Sequence, residues 1–300
     1  METAEAVIRA GLLTLGAGML EQLLAADNGY RGPAPECGNG HRGVLVSYRD
    51  KVMDTVLGPV TLRRAWYHCA ECKHGFAPRD AELGVEGTSL SPGLAAMNDI
   101  AAAAGPFAKA AGLLEDLAGV SLIAKRVERA AEASGTAQAA AVRARAAAIT
   151  SRKVVPMTNF PLADMMYAAI DGTCVPVTAK ETAGRKGKGE DGRARTREVK
   201  LAVFFTQDGL DDDGYPVRDR ESSSYVATLE PVSVFTDLVK AEGIRRGADR
   251  VRQFTVLGDG AAWICYPDVG IADLIPVPRL SRCCIWSRCA QCLIVSSMAG

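Results

Sequence analysis

The sequence predicts an α+β chain of more than one domain: a cysteine-bearing β module, a helical region, then an α/β domain. Three observations predict it. Alternating apolar and polar residues mark 44–68 as β. A Ser-Pro start and an alanine-rich run mark 91–150 as helical. Beyond Pro156, strand-like apolar runs surround one helical segment. At 300 residues the chain is long enough for two domains.

Taken in order, residues 6–26 read as an amphipathic helix carrying Ile8, Leu12, Leu13, Leu15, Met19, Leu20 and Leu23, ended by Asn28-Gly29. A Gly/Pro-rich stretch from Tyr30 to Gly43 follows, holding Cys37, the Gly38-Asn39-Gly40 turn and His41. Val44, Val46 and Tyr48 alternate in one strand. Val60 to His68 forms a second, with Leu62, Arg64 and Trp66 on one side and Thr61, Arg63, Ala65 and Tyr67 on the other. Leu57-Gly58-Pro59 supplies the turn between them.

Ser91-Pro92 starts the helical region, Gly105-Pro106 separates its first two helices, and Ala118-Gly119-Val120 turns into a third capped by Ser121. Gly135 is expected to break that third helix before Ala137–Ile149 resumes it. The last part reads as strands at Tyr167–Val177 (interrupted at Asp171-Gly172), Glu198–Gln207, Ser223–Leu229 and Phe254–Leu257, with a helix at Val232–Arg246.

Hydrophobic residues make up 48% and charged residues 23%, which excludes disordered and fibrous classes. The formal net charge is zero, against a bulk polycation, yet it hides opposed patches. Residues 185–200 carry net +4 and residues 208–221 net −4. No uninterrupted apolar run reaches the roughly 18 residues of a spanning helix. The acidic start Met1-Glu2-Thr3-Ala4-Glu5 makes a poor signal peptide, so no membrane partner is expected. Nine cysteines, five of them in the last 36 residues, do not form a secreted disulfide framework, and the reducing cytoplasm is the expected compartment.

Four constellations carry chemistry. Cys69-x2-Cys72, with Cys37 and His41 upstream, has the ligand types of a structural Zn²⁺ site, although Ala34 stands where a further cysteine would complete a second C-x2-C; a decayed, metal-free site fits the same pattern. The two helices around Ala118-Gly119-Val120 have a helix–turn–helix look, and Lys125, Arg126 and Arg129 on the second could meet DNA; an ordinary hairpin with a solvated basic side is the alternative. Asp171 and Asp259 each follow an apolar strand and precede a glycine. Side by side they would hold Mg²⁺, and apart they are ordinary Asp-Gly turns. Arg185, Lys186, Lys188, Arg193, Arg195 and Arg197 lie on a Gly-rich loop suited to a phosphate backbone, or to plain solvation.

In this order the segments resemble the ISKra-type family of bacterial insertion-sequence transposases. The resemblance rests on Val56–Cys69 (VLGPVTLRRAWYHC), Leu90–Gly93 (LSPG), Ile170–Val177 (IDGTCVPV), Glu181–Lys188 (ETAGRKGK) and Val256–Ile264 (VLGDGAAWI), and spans about residues 30–264. It implies an N-terminal helix (1–30), a zinc-ribbon-like module (31–80), a helix–turn–helix-like DNA-binding region (88–150) and a partial RNase H-like catalytic domain (160–264). Asp171 and Asp259 become the first two acids of a DDE triad that cleaves and transfers DNA strands with two Mg²⁺ ions. The partners implied are the element ends and target DNA, with a homo-oligomer. A third acid, a glutamate, would come well downstream. Here only Asp268 and Asp273 follow Ile264, in a Cys-rich tail (265–300) that fits truncation or a frameshift. The expectation is a transposase by descent that is inactive or weak; a non-catalytic DNA-binding fragment is the rival.

Overall fold

The structure is a computed structural model describing residues 1–157, 163–187, 192–259, 261–265 and 280–284. It divides into two compact units, Met1–Gln138 and Ala139–Gly300. The described residues are mixed α and β.

In the first unit, helix α1 (Glu2–Ala25) precedes an antiparallel hairpin of β1 (Val44–Thr55) and β2 (Gly58–Cys69). Thr55 pairs with Gly58, so the loop is Val56-Leu57, one residue earlier than the turn expected from the sequence. Gly58 has φ +119°, a conformation closed to other residues, and the Thr55 hydroxyl donates to the Gly58 carbonyl at 2.7 Å. A third strand, β3 (His74–Phe76), pairs antiparallel with the end of β2. The alternation of β2 holds: Val60, Leu62 and Arg64 are buried on one face. On the other, Thr61 and Arg63 are exposed while Ala65, Tyr67 and Cys69 are buried. The segment that ends α1 supplies that cover, because Asn28 accepts from the Ala65 amide and the Tyr67 hydroxyl meets the Arg31 amide and the Gly32 carbonyl.

Ala17, Leu20 and Leu24 of α1 pack on Met53, Val60, Leu62 and Val85. A polar girdle sits beside this core. Asp80 of α2 (Pro78–Glu82) meets Arg64 at 2.6 Å and Lys51 at 3.1 Å. Arg79 donates to the Leu24 carbonyl at the end of α1 and pairs with Asp27. Arg31 donates to Asp27 and Glu82, holding both carboxyls below their ordinary range.

The helical region is α3 (Pro92–Ala103), α4 (Phe107–Leu113) with a π-turn (Leu114–Ala118), and α5 (Ala124–Thr150). Gly119 closes the π-turn at φ +70°, where only glycine is unstrained. Leu94, Ala101, Ala110, Leu114, Val120, Leu122 and Val127 form one core. Ser91 caps α3 as expected, its hydroxyl accepting from the Leu94 amide at 3.2 Å. Replacing it by alanine is expected to cost about 1 kcal/mol in chemical denaturation. Two expectations fail. The third helix begins at Ala124, three residues beyond Ser121, and the intervening segment instead buries Leu122 beside Val120 in the core. It also runs unbroken through Gly135, since a single glycine costs only about 1 kcal/mol relative to alanine and its neighbours are strong helix formers.

The second unit is built on a five-stranded sheet of β4 (Met165–Pro176), β5 (Thr196–Thr206), β8 (Ser224–Thr228), β9 (Gln253–Gly258) and β10 (Leu280–Cys284), in the order β10-β9-β4-β5-β8. β4, β5 and β8 are antiparallel neighbours; β9 and β10 run parallel to β4. A two-stranded ribbon, β6 (Gly209–Leu210) with β7 (Pro216–Val217), interrupts the acidic stretch. Helix α6 (Val232–Arg246) packs Phe235 and Val239 on Met166, Ala168, Ile170, Ala202, Phe204, Phe254 and Val256. It stops at Gly247, φ +77°. The short helix α7 (Ala262–Cys265) follows β9. Strand β4 continues through Asp171-Gly172 instead of breaking there, because Asp171 pairs with Leu201 and Gly172 with Lys200. Within the Cys-rich tail, Leu280–Cys284 adds an edge strand that its sequence did not announce; Cys289 and Cys292, and Asp268 and Asp273, lie outside the described residues.

Candidate functional site

Among the described residues, a Cys/His cluster lies in the first unit, and the two aspartates singled out by the sequence lie in the second. In the first, the Cys37 Sγ, His41 Nδ1/Nε2, Cys69 Sγ and Cys72 Sγ ligand atoms all lie within 4.8 Å of one another. The fold brings them together as two loops. The Glu36–Arg42 bridge closes the Gly38-Asn39-Gly40 turn, with both glycines at positive φ. The turn from β2 to β3 carries Cys69 and Cys72, and Lys73 takes the left-handed conformation while His74 already belongs to β3. The Cys72 amide points at Cys69 Sγ at 3.4 Å, and Cys37 Sγ is 3.7 Å from Cys72 Sγ. A tetrahedral zinc–thiolate site has sulfur–sulfur edges of about 3.8 Å. His41 Nδ1 is 3.2 Å from Cys72 Sγ. Three thiols and one imidazole at this spacing can hold a structural Zn²⁺, and the expectation of four such ligands stands despite Ala34.

Asn39 is a participant that the sequence reading passed over. Its backbone amide donates to Cys37, the main reason, with neighbouring thiols, that this thiol falls to about 7. Its side chain donates to Cys72 Sγ at 3.5 Å; there burial and the adjacent thiols outweigh it, and the Cys72 thiol is pushed up. The position of an amide donor between two ligands in a Gly-x-Gly turn was the available signal.

In the second unit, β4 and β9 pair in parallel from Met165↔Gln253 to Ala169↔Leu257. Continuing the same register by two residues brings Asp171 level with Asp259. Both are exposed, and both fall on the sheet face opposite the α6 core, since Ile170 and Val256 point into that core. Each carboxylate spends Oδ1 on a backbone amide: Asp171 on Gly172 at 2.7 Å and Asp259 on Ala261 at 2.9 Å. Of the adjacent glycines, Gly258 has a packing reason, whereas at Gly172 the close atom is only the tip of a flexible side chain. A Cβ on Gly172 would come 2.7 Å from Glu198 Oε1, and one on Gly258 would come 2.9 Å from Ile264. Two exposed carboxylates, Asp171 within β4 and Asp259 just past the end of β9, are hard-oxygen donors of the kind that suits Mg²⁺.

The basic residues are less uniform. Lys125 pairs with Glu128 on its own helix, and Arg129 is exposed. Arg126 is turned onto the hairpin, meeting Asp54 at 2.5 Å and the Ser89 hydroxyl at 2.9 Å, so it is engaged where a free surface cation was expected. The backbones of Lys186 and Arg193 pair in an isolated antiparallel bridge, and Arg185, Arg193 and Arg195 line an open hollow of about 720 Å³. Arg197 is held by Glu181 at 3.3 Å and the Leu229 carbonyl at 3.0 Å. Lys188 lies outside the described residues. Compared with models of protein families and with curated proteins, the sequence matches none.

Proposed function

We propose that this chain is an insertion-sequence transposase of the DDE type by descent, with a zinc-ribbon-like and helix–turn–helix-like first unit for DNA and an RNase H-like second unit for strand cleavage and transfer. The observation that supports the reading is the parallel register of β4 with β9, Met165↔Gln253 to Ala169↔Leu257, which, extended by two residues past the end of β9, would set Asp171 level with Asp259. The strand order supports it as well: three antiparallel strands followed by parallel strands added beside the first is the arrangement an RNase H-like domain requires. The Cys/His cluster and the three-helix core around the Gly119 turn suit the ribbon and the DNA-reading helices.

Bound between the two carboxylates, Mg²⁺ would supply the charge that activates water or a 3′-hydroxyl for in-line attack. The chain's own contribution is to hold Asp171 rigid within a paired strand and Asp259 at a strand end, each oriented by one amide. With two acids at hand, metal binding is expected to be weak and turnover slow.

Mn²⁺ titration followed by electron paramagnetic resonance tests the reading. Binding by the wild-type chain should be lost in both Asp171→Asn and Asp259→Asn. Any nicking of DNA that carries the element ends should vanish with it. Mn²⁺ binding or nicking that survives both substitutions would sink the proposal. Salt-sensitive binding of end DNA without Mn²⁺ binding would favour the non-catalytic DNA-binding reading.

A further inference from the structure

We infer that Cys37 and Cys72 form a redox modification site, in which a hydroperoxide joins them in a disulfide and so expels the zinc ion that the cluster would hold. The inference rests on the zinc reading of this cluster and is independent of the transposase reading.

Three thiols allow three pairings, and their surroundings separate them. Cys37 Sγ faces Cys72 Sγ at 3.7 Å, each carried by its own loop. Closing that gap to the roughly 2 Å of a disulfide asks a shift of two turns and of no strand interior. The Gly38-Asn39-Gly40 turn has both glycines at positive φ, and Lys73 follows Cys72 in the left-handed conformation. Cys69 is placed otherwise. It is the last residue of β2, held opposite His74 in the ladder and fully buried, and its sulfur already accepts the Cys72 amide at 3.4 Å. Thiol oxidation follows access, and Cys37 and Cys72 are half-buried where Cys69 is closed to solvent.

The step balances with the peroxide as sole oxidant. One thiolate attacks a peroxide oxygen: an S–O bond forms, the O–O bond breaks, and the departing hydroxide takes a proton and leaves as water. The second thiolate attacks the oxidised sulfur. An S–S bond forms, the S–O bond breaks, and a second water leaves in the same way. Two electrons have passed from the sulfur pair to the peroxide. His41 and Cys69 remain, two donors where a structural zinc needs four, so the metal dissociates. The disulfide then ties together the two loops that the metal had tied, across a separation of 35 residues.

Zinc-loaded full chain treated with hydrogen peroxide tests this, with metal release read by a colorimetric zinc indicator and disulfides mapped by mass spectrometry of unreduced peptides. One zinc ion should leave for each Cys37–Cys72 disulfide formed, and dithiothreitol with added zinc should reverse both. Cys174, exposed on β4 in the second unit, is a competing thiol, and Cys174→Ser should release zinc at the wild-type rate. Zinc retained under peroxide overturns the inference alone. So does zinc release with Cys69 in the bridge, with no bridge, or lost in Cys174→Ser. A reduced chain that takes up no zinc before any peroxide is added overturns the zinc reading and this inference with it.

Discussion

The purified chain is expected to carry one zinc ion, and stripping it should melt the β1–β2–β3 module. Cys69 is fully buried at the end of β2 and accepts from the Cys72 amide in the turn to β3, and Cys72 Sγ in turn faces Cys37 Sγ on the other loop. Without the metal, three thiols and an imidazole remain crowded within 4.8 Å, joined only by weak sulfur hydrogen bonds. Structural zinc sites in small modules contribute on the order of 10 kcal/mol to folding. Cys69→Ser should therefore cost more than about 4 kcal/mol, the range reserved for metal and core lesions. A chelator titration followed by zinc content and near-ultraviolet circular dichroism reads both effects, because Trp66 and Tyr67 neighbour the site. A zinc-free chain whose melting ignores chelator would refute the assignment. The sheet around Phe204 and Phe254 should keep its own transition either way.

Replacing Asp80 by alanine is expected to destabilise the first unit by about 3–5 kcal/mol, because it strands two buried cations. Asp80 faces Arg64 and Lys51, and all three side chains are nearly closed to solvent. The Arg64 Nε contact is short but off the hydrogen-bond direction, so it is chiefly ionic and depends on the full carboxylate charge. Asp80→Asn, which keeps the shape and loses the charge, should recover little. If urea denaturation shows either variant within about 1 kcal/mol of wild type, the pair is no more than a surface-grade bridge.

The sequence carried the elements whose signals are local. Alternation in β2, the Ser91 cap and the limits of α6 at Val232–Arg246 all match. The metal cluster was legible because its ligand types and short spacings are themselves local. What was missed depends on partners distant in the chain. Asp171-Gly172 reads as a turn until β5 pairs with it; Gly135 reads as a stop until the helix on both sides overrides it. Arg126 reads as a free cation because nothing in the sequence brings Asp54 beside it. Leu280–Cys284 could not be read as a strand at all, since its place is set by β9.

The hairpin and the aspartate pair differ in when a growing chain can make them. β1 and β2 meet across a two-residue loop, so the hairpin can close as soon as Cys69 has been synthesised. The β4–β9 pairing joins Met165 to Gln253 and must wait for nearly the whole second unit. During synthesis Asp171 is therefore made well before Asp259, and a nascent chain interrupted before β9 would own a closed hairpin and Asp171 without Asp259.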